Sequence, residues 1–349
     1  MEKRENTHGV AILGTAHVHV GWYAGELRNS SWAVVKAVAD ENMERTQTML
    51  GEEAKYIPDH TTDYREVLAR DDIDAVCIAS ETSKHAELAV AAAEAGKHII
   101  MEKVLSLSLA DSDRIIEAAK KANVKLICPP FVHDARPSVA KAKQLLDAGE
   151  IGAPTAAHFH TGHEGLIYGQ WEAWFYDPVL AGGGALVDLG VHPIYEALFL
   201  FGEASEVTGI LNTTFTERML GDYPLNSITT DDNAIVTIKF RNGVLCSIDT
   251  SHTRMGDRSN SAIYGTEGTI IMDDATAPLL YLSTKVAGEG DWQTPDLPDG
   301  PSTTELIADL IDTEEDTWRV NGQWGRAVQE IVLAAYRSAE TKRVIQLPL

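Results

Sequence analysis

Two histidines follow the first apolar run of the chain, in the stretch VAILGTAHVHVGWY from Val10 to Tyr23. Their types and spacing suit two kinds of chemistry. A turn that leaves a strand at Gly14 has the form of a loop that cradles a dinucleotide pyrophosphate. An imidazole–x–imidazole pair, His17 and His19, is also half of a metal site. A second cluster reads HFHTGH and holds His158, His160 and His163. Zinc needs three or four such ligands converging. Nothing in the sequence requires the two clusters to meet, so His17 and His19 read as polar loop residues beside a cofactor, and no metal is expected.

The nucleotide reading asks for glycine at three places: for the tight turn, for close approach of the backbone to phosphate, and for packing of helix on strand. Here those places hold Gly14, Ala16 and His19. Thr15, Ala16, His17 and Val18 are expected to line the cofactor. A second strand ends at Asp40, whose carboxylate can accept hydrogen bonds from an adenosine ribose and repel a 2′-phosphate. That favours NAD over NADP. Arg45, on the following helix, reads as too far along to be an obvious phosphate ligand.

The elements that must position these groups are legible in the first third. Apolar runs at 10–14, 33–40, 74–80, 98–102 and 124–130 alternate with helical patterns, the clearest at 84–96 and 109–123. Continuous apolar strands separated by helices imply a parallel, doubly wound sheet. A connecting helix is expected at 136–152. Beyond it, 182–202 reads as one long helix, and strands then dominate. Asn242-Gly243 marks a hairpin, and TEG (266–268) marks another. The fold class is therefore α/β: a Rossmann domain at 1–132, then an α+β domain at 133–349 with an open, mostly antiparallel sheet. A last helix is expected near 320–341. The segment 320–349 has the option of packing back towards the first domain. A polar Pro/Gly-rich loop is expected at 288–305.

Three segments carry a resemblance: AGKHIIMEKV (95–104), GGGALVDLGVHPI (182–194) and YRSAETKRVIQLPL (336–349). With the N-terminal βαβ pattern, the chain resembles the Gfo/Idh/MocA family of nicotinamide-dependent oxidoreductases over essentially its whole length. The resemblance implies catalytic roles for the Lys of an E-K-P motif and for the Asp and His of D-x-G-x-H. Here these are Lys103, Asp188 and His192, with Glu102 as the acid of the first motif and both Glu102 and Lys103 bordering the cofactor. The chemistry agrees. Oxidising a secondary alcohol moves a hydride to the nicotinamide and a proton to a base, for which His192 is suited near neutral pH. The Lys103 ammonium favours the developing alkoxide. Asp188, four residues before His192, could orient the imidazole or bind a substrate hydroxyl, and on a helix Tyr195 would share their face. Val104 stands where the family has proline, so Lys103 loses a backbone constraint.

Further candidates border these. Ser80, Glu81 and Thr82 follow the third strand, where a doubly wound sheet binds ligands, and His85 opens the next helix. His133, His160, Trp171, Trp174 and Tyr195 are candidate substrate contacts, with ordinary core packing the alternative for the aromatics. The leading function is an oxidoreductase of a sugar, cyclitol or glycoside using NAD. The alternatives are a glycoside-cleaving relative and a catalytically silent sensor.

A net charge of −23 spread along 349 residues speaks against nucleic-acid binding. The apolar runs read as too short for a membrane span, and the N-terminus does not read as a secretory signal. Three dispersed cysteines, Cys77, Cys128 and Cys246, read as buried thiols of a cytoplasmic protein. A homodimer or homotetramer is expected from the open sheet face.

Overall fold

The structure, a computed structural model, describes residues 7–128, 136–168, 172–220, 223–226, 228–256, 261–273, 277–285, 291–298, 303–313 and 322–349. The chain divides into two compact units. One comprises Met1–Val132, Val179–Gly182 and Pro301–Gln329; the other comprises His133–Pro178, Gly183–Gly300 and Glu330–Leu349.

The first unit contains β1 (His8–Leu13), α1 (Val20–Asn29), β2 (Ala33–Ala39), α2 (Met43–Leu50), β3 (Asp59–Thr61), α3 (Tyr64–Leu68), β4 (Ala75–Ile78), α4 (His85–Glu94), β5 (His98–Met101), α5 (Leu109–Ala122) and β6 (Leu126–Ile127). The strands form one parallel sheet in the order β3-β2-β1-β4-β5-β6. That is the dinucleotide-binding order, which reverses direction beside β1. The alternation within β1 explains why the sheet is covered on both faces. Val10 and Ile12 join one apolar cluster with Tyr23, Leu27 and Trp32. Ala11 and Leu13 join another with Leu88, Ala92 and Ile115. α5 is capped by Ser108, whose hydroxyl accepts from the Asp111 amide, and ends at Asn123 with φ of 55°. The fifth apolar run is shorter as a strand than its sequence suggests, and β3, short and polar, carried no apolar signal.

The second unit begins with α6 (Pro137–Asp147), β7 (Pro154–Gly162), α7 (Gly165–Tyr168) and α8 (Pro178–Ala181), the last shared with the first unit. Next come α9 (Val191–Phe201), β8 (Ala204–Asn212), β9 (Glu217–Leu220), β10 (Tyr223–Asn226), β11 (Asn233–Phe240), β12 (Leu245–Ser251), β13 (Ser261–Gly265), β14 (Gly268–Met272) and β15 (Leu279–Ser283). α10 (Thr303–Asp312), next in the chain, belongs to the first unit, and its Ile307, Ala308 and Ile311 join the Val10 cluster there. The chain closes with α11 (Gln323–Thr341) and β16 (Ile345–Gln346). Eight strands make an open sheet in the order β15-β14-β13-β7-β12-β11-β8-β16. Among the described residues, β7–β12 is its only parallel pair. Both expected hairpins form, β11–β12 and β13–β14.

The expected single helix over 182–202 is corrected. Gly182 sits at φ of 85°, and Leu186–Gly190 form a π-helical turn before α9 begins. Asp231 explains the late start. Its carboxylate accepts from the amides of Gly184 and Leu186 at 2.9 and 2.8 Å, and a Cβ on Gly184 would meet the Asp231 carbonyl oxygen at 1.8 Å. The expectation of short apolar runs is also corrected. Pro178–Phe201 is long and apolar enough for a membrane span, but 83% of the 18-residue apolar window within it is buried inside the protein, as in a core segment. Its Phe201 stacks on Phe159 of β7 with ring centroids 6.1 Å apart.

Candidate functional site

In the first unit, the loop after β1 runs along the C-terminal edge of the sheet. Gly14 takes φ of 79°, and a Cβ there would lie 2.5 Å from the Ser80 side chain, so this turn requires glycine. Ala16 is fully buried, and the His17 amide donates to the Ala79 carbonyl at 2.9 Å. Val18 is exposed. Asp40 is buried and already engaged. It accepts from the Thr15 amide and hydroxyl at 2.6 and 2.9 Å and from the Asn42 amide at 2.7 Å. Arg45, set aside on sequence grounds, donates to both oxygens of Asp40 at 2.9 Å and to Glu81 at 2.7 Å. From the first turn of α2, its long side chain reaches back to the strand end. Gly14, Asp40, Arg45, Tyr64, Glu81 and Lys84 line one cleft. Ser80 and Thr82 are buried beside it. A tight glycine turn, a small second residue and an acid at the end of β2 fit a dinucleotide at this edge.

At the end of β5, Glu102 and Lys103 are both buried. Glu102 accepts from His19 Nδ1, the Tyr23 hydroxyl and the Lys103 amide, each at 2.8 Å, and His17 Nε2 lies 3.7 Å away. Burial pushes the Glu102 carboxyl up, but His17, His19 and Lys103 outweigh it and hold it well below the ordinary glutamate range. Burial, then Glu102, raises the Tyr23 phenol. His85 is fully buried. Its Nδ1 donates to the Val104 carbonyl at 2.7 Å, its Nε2 lies 3.3 Å from the Ser80 carbonyl, and burial lowers its pKa. With both ring nitrogens facing backbone carbonyls, His85 braces the loops beside the candidate cofactor edge. Glu102 and His85 hold the backbone on either side of a cis Lys103–Val104 peptide.

In the second unit, Asp188 lies in the π turn, and His252 Nε2 donates to it at 3.0 Å. His163 stacks on His252 with centroids 5.4 Å apart and planes 3° apart. Ligating atoms of His163, Asp188 and His252 all lie within 4.8 Å of one another, and so do those of His17, His19 and Glu102. Burial, then His252, lowers the His163 pKa. His192 is the second residue of α9 and is half-buried.

Tyr195, three residues after His192 in α9, is 1% exposed. Two assignments shift. His160 faces away from α9. Phe159 beside it packs on Phe201, and successive strand residues alternate. His160 instead contacts Arg254, which also pairs with Asp249. Trp174 is buried and packed on Phe175, with centroids 4.0 Å apart. His133 and Trp171 lie outside the described residues.

Residues 8–128 match the oxidoreductase family with an NAD-binding Rossmann fold, and residues 139–271 match the Gfo/Idh/MocA C-terminal domain. An uncharacterized oxidoreductase of Bacillus subtilis is 31% identical over 72% of this chain and 69% of its own length. The chain belongs to the Gfo/Idh/MocA oxidoreductase family. Other Gfo/Idh/MocA relatives carry functional names. Levoglucosan dehydrogenase of Pseudarthrobacter phenanthrenivorans is 34% identical over 61% of this chain and 58% of that protein, and myo-inositol 2-dehydrogenase of Thermotoga maritima is 28% identical over 81% and 78%. A levoglucosan dehydrogenase solved in complex with NADH superposes with a TM-score of 0.81 at 25% identity, covering 98% of this chain and all of that one.

Proposed function

We propose that the chain oxidises a secondary alcohol of a sugar, cyclitol or glycoside with NAD, or runs the reverse reduction, with Lys103, Asp188 and His192 as its catalytic groups. The observation that carries this reading is the end of β5. There Lys103 is buried, and its amide is held by a carboxylate that two histidines keep charged. The dehydrogenase names of the family members point the same way. The edge around Gly14, Thr15, Asp40 and Glu81 holds the dinucleotide, which accepts the hydride when bound. His192 takes the hydroxyl proton as the C–H bond gives up its electron pair. The Lys103 ammonium lies with the substrate oxygen and stabilises its charge as the proton leaves. Asp188 binds a neighbouring substrate hydroxyl or orients an imidazole. Glu102 keeps the Lys103 backbone in place. Asp40 favours NAD over NADP, because a 2′-phosphate would meet its charge.

The test is to incubate purified protein with NAD and levoglucosan, myo-inositol and a panel of glycosides while following absorbance of the reduced nicotinamide. Substrate-dependent NADH formation, lost in Lys103→Ala and in His192→Ala, is expected. Sugar release without net NADH would indicate the glycoside-cleaving alternative. NADH binding without turnover on any substrate would indicate a sensor. Unchanged turnover in both variants would overturn the residue assignment.

A further inference from the structure

We propose that His163, Asp188 and His252 form a binding site for a divalent transition-metal ion of the zinc type. The site shares Asp188 with the proposed dehydrogenase reading, but the geometry it is argued from lies in the second unit alone.

β7 and β12 are parallel, and Gly162 is paired in register with Ser251. The next residue of each strand is a histidine, so the two imidazoles leave the same edge of the sheet side by side. The backbone pins both. The His163 amide donates to the Ser251 carbonyl and the Arg254 amide to the His163 carbonyl, at 3.0 and 3.1 Å. The His252 amide donates to the Asp232 carbonyl and the Leu166 amide to the His252 carbonyl, at 2.9 and 3.1 Å. The π turn then delivers Asp188 to the same point, with 3.0 Å between its carboxylate and His252 Nε2. That separation is about the edge of a tetrahedron around an ion with bonds near 2.0–2.1 Å. Two imidazoles and one carboxylate, with other positions left for water or a substrate oxygen, are a zinc-type donor set. The Gly165 amide contacts His163 Nδ1 at 3.1 Å. A ring that ligates through Nε2 carries its proton on Nδ1, so metal binding would break this contact and rearrange the 163–165 turn.

A chemically similar group, His17, His19 and Glu102, lies in the first unit, and the experiment distinguishes the two. Its carboxylate already takes three hydrogen bonds at 2.8 Å, from His19, Tyr23 and the Lys103 amide.

The experiment loads the full chain with Zn²⁺, removes loose ions by gel filtration, and counts bound metal by mass spectrometry. About one zinc per chain is expected, as for a three-residue site with an open position. The His163→Ala/His252→Ala double variant should lose it, and each single variant should weaken zinc binding tenfold or more. NADH binding, read by fluorescence, checks that the variants fold. Anomalous scattering at the zinc edge from crystals of the unaltered protein needs no variant, and a peak at this cluster supports the site. Stoichiometry unchanged in the double variant, a peak only at His17/His19/Glu102, or no bound zinc would overturn it. Zinc bound here supports the site whether or not the zinc-free protein oxidises a sugar, and absence of oxidation by the zinc-free protein counts against the proposed function alone.

Discussion

Replacing Glu102 by glutamine keeps the shape of the side chain and removes its charge. In the native protein the carboxylate accepts three hydrogen bonds of 2.8 Å, from His19, Tyr23 and the Lys103 amide. Bonds to a charged acceptor contribute about 1.5–3 kcal/mol each, against about 0.5–1.5 for neutral ones. A glutamine carbonyl can keep two of these donors, while its NH₂ group faces the third donor. Part of the loss is offset, because burying an amide costs less than burying an ion. The net destabilisation should be about 2–3 kcal/mol. In a domain of this size that is roughly 5–10 °C in Tm. The pH dependence gives a second reading. The folded carboxyl lies below its ordinary value of 4.5, so its contribution is complete above that pH and is lost as pH falls towards the lower folded value. Thermal unfolding followed by circular dichroism at pH 7 and pH 4 should show the gap between the native protein and Glu102→Gln narrowing in acid. Equal Tm values at pH 7, or a gap that widens on acidification, would refute this account of the β5 edge.

Gly14→Ala places a Cβ 2.5 Å from Ser80 at a positive φ, so it should cost about 1–3 kcal/mol and weaken NADH binding by titration fluorescence. Asp40→Ser removes the acid that binds the Arg45 guanidinium and leaves that charge for a 2′-phosphate. The ratio of NADP to NAD in kcat/KM should rise by about tenfold or more, since one ion contact is worth on the order of 1.4 kcal/mol or more. Arg45→Ala, which leaves Asp40 uncompensated, should lower the same ratio. Tyr336→Phe removes a 2.6 Å hydrogen bond to the Asp231 carboxylate that holds the glycine turn, and should cost about 1–3 kcal/mol in urea unfolding.

How much of this was legible depended on how local the signal was. The parallel sheet was readable because each of its longer strands carries its own apolar run, as in Val10–Leu13 and Ala75–Ile78. Gly14 and Asp40 were readable as turn and strand end. Arg45 was not, because its place depends on how far a flexible side chain reaches, and residue spacing does not give that. The break before α9 was hidden because the residue that sets it, Asp231, is 47 positions from Gly184. The resemblance supplied Lys103, Asp188 and His192, but neither it nor the local pattern pointed to His252.

His252 has a topological explanation. In an antiparallel pair the residue after one strand emerges beside the start of its neighbour, so two residues that follow such strands leave from opposite edges. In a parallel pair they leave from the same edge. The larger sheet is antiparallel apart from β7–β12 among the described residues, and His163 and His252 follow those two strands. The first unit uses the same geometry, where parallel β1 and β5 bring His17 and His19 to Glu102. HFHTGH therefore splits by position. His158 and His160 alternate onto the face of β7 away from Phe201, while His163, one residue beyond the strand end, turns to Asp188 and His252. The histidine that matters in that cluster is selected by where the strand stops, and its partner by which neighbouring strand runs parallel to it.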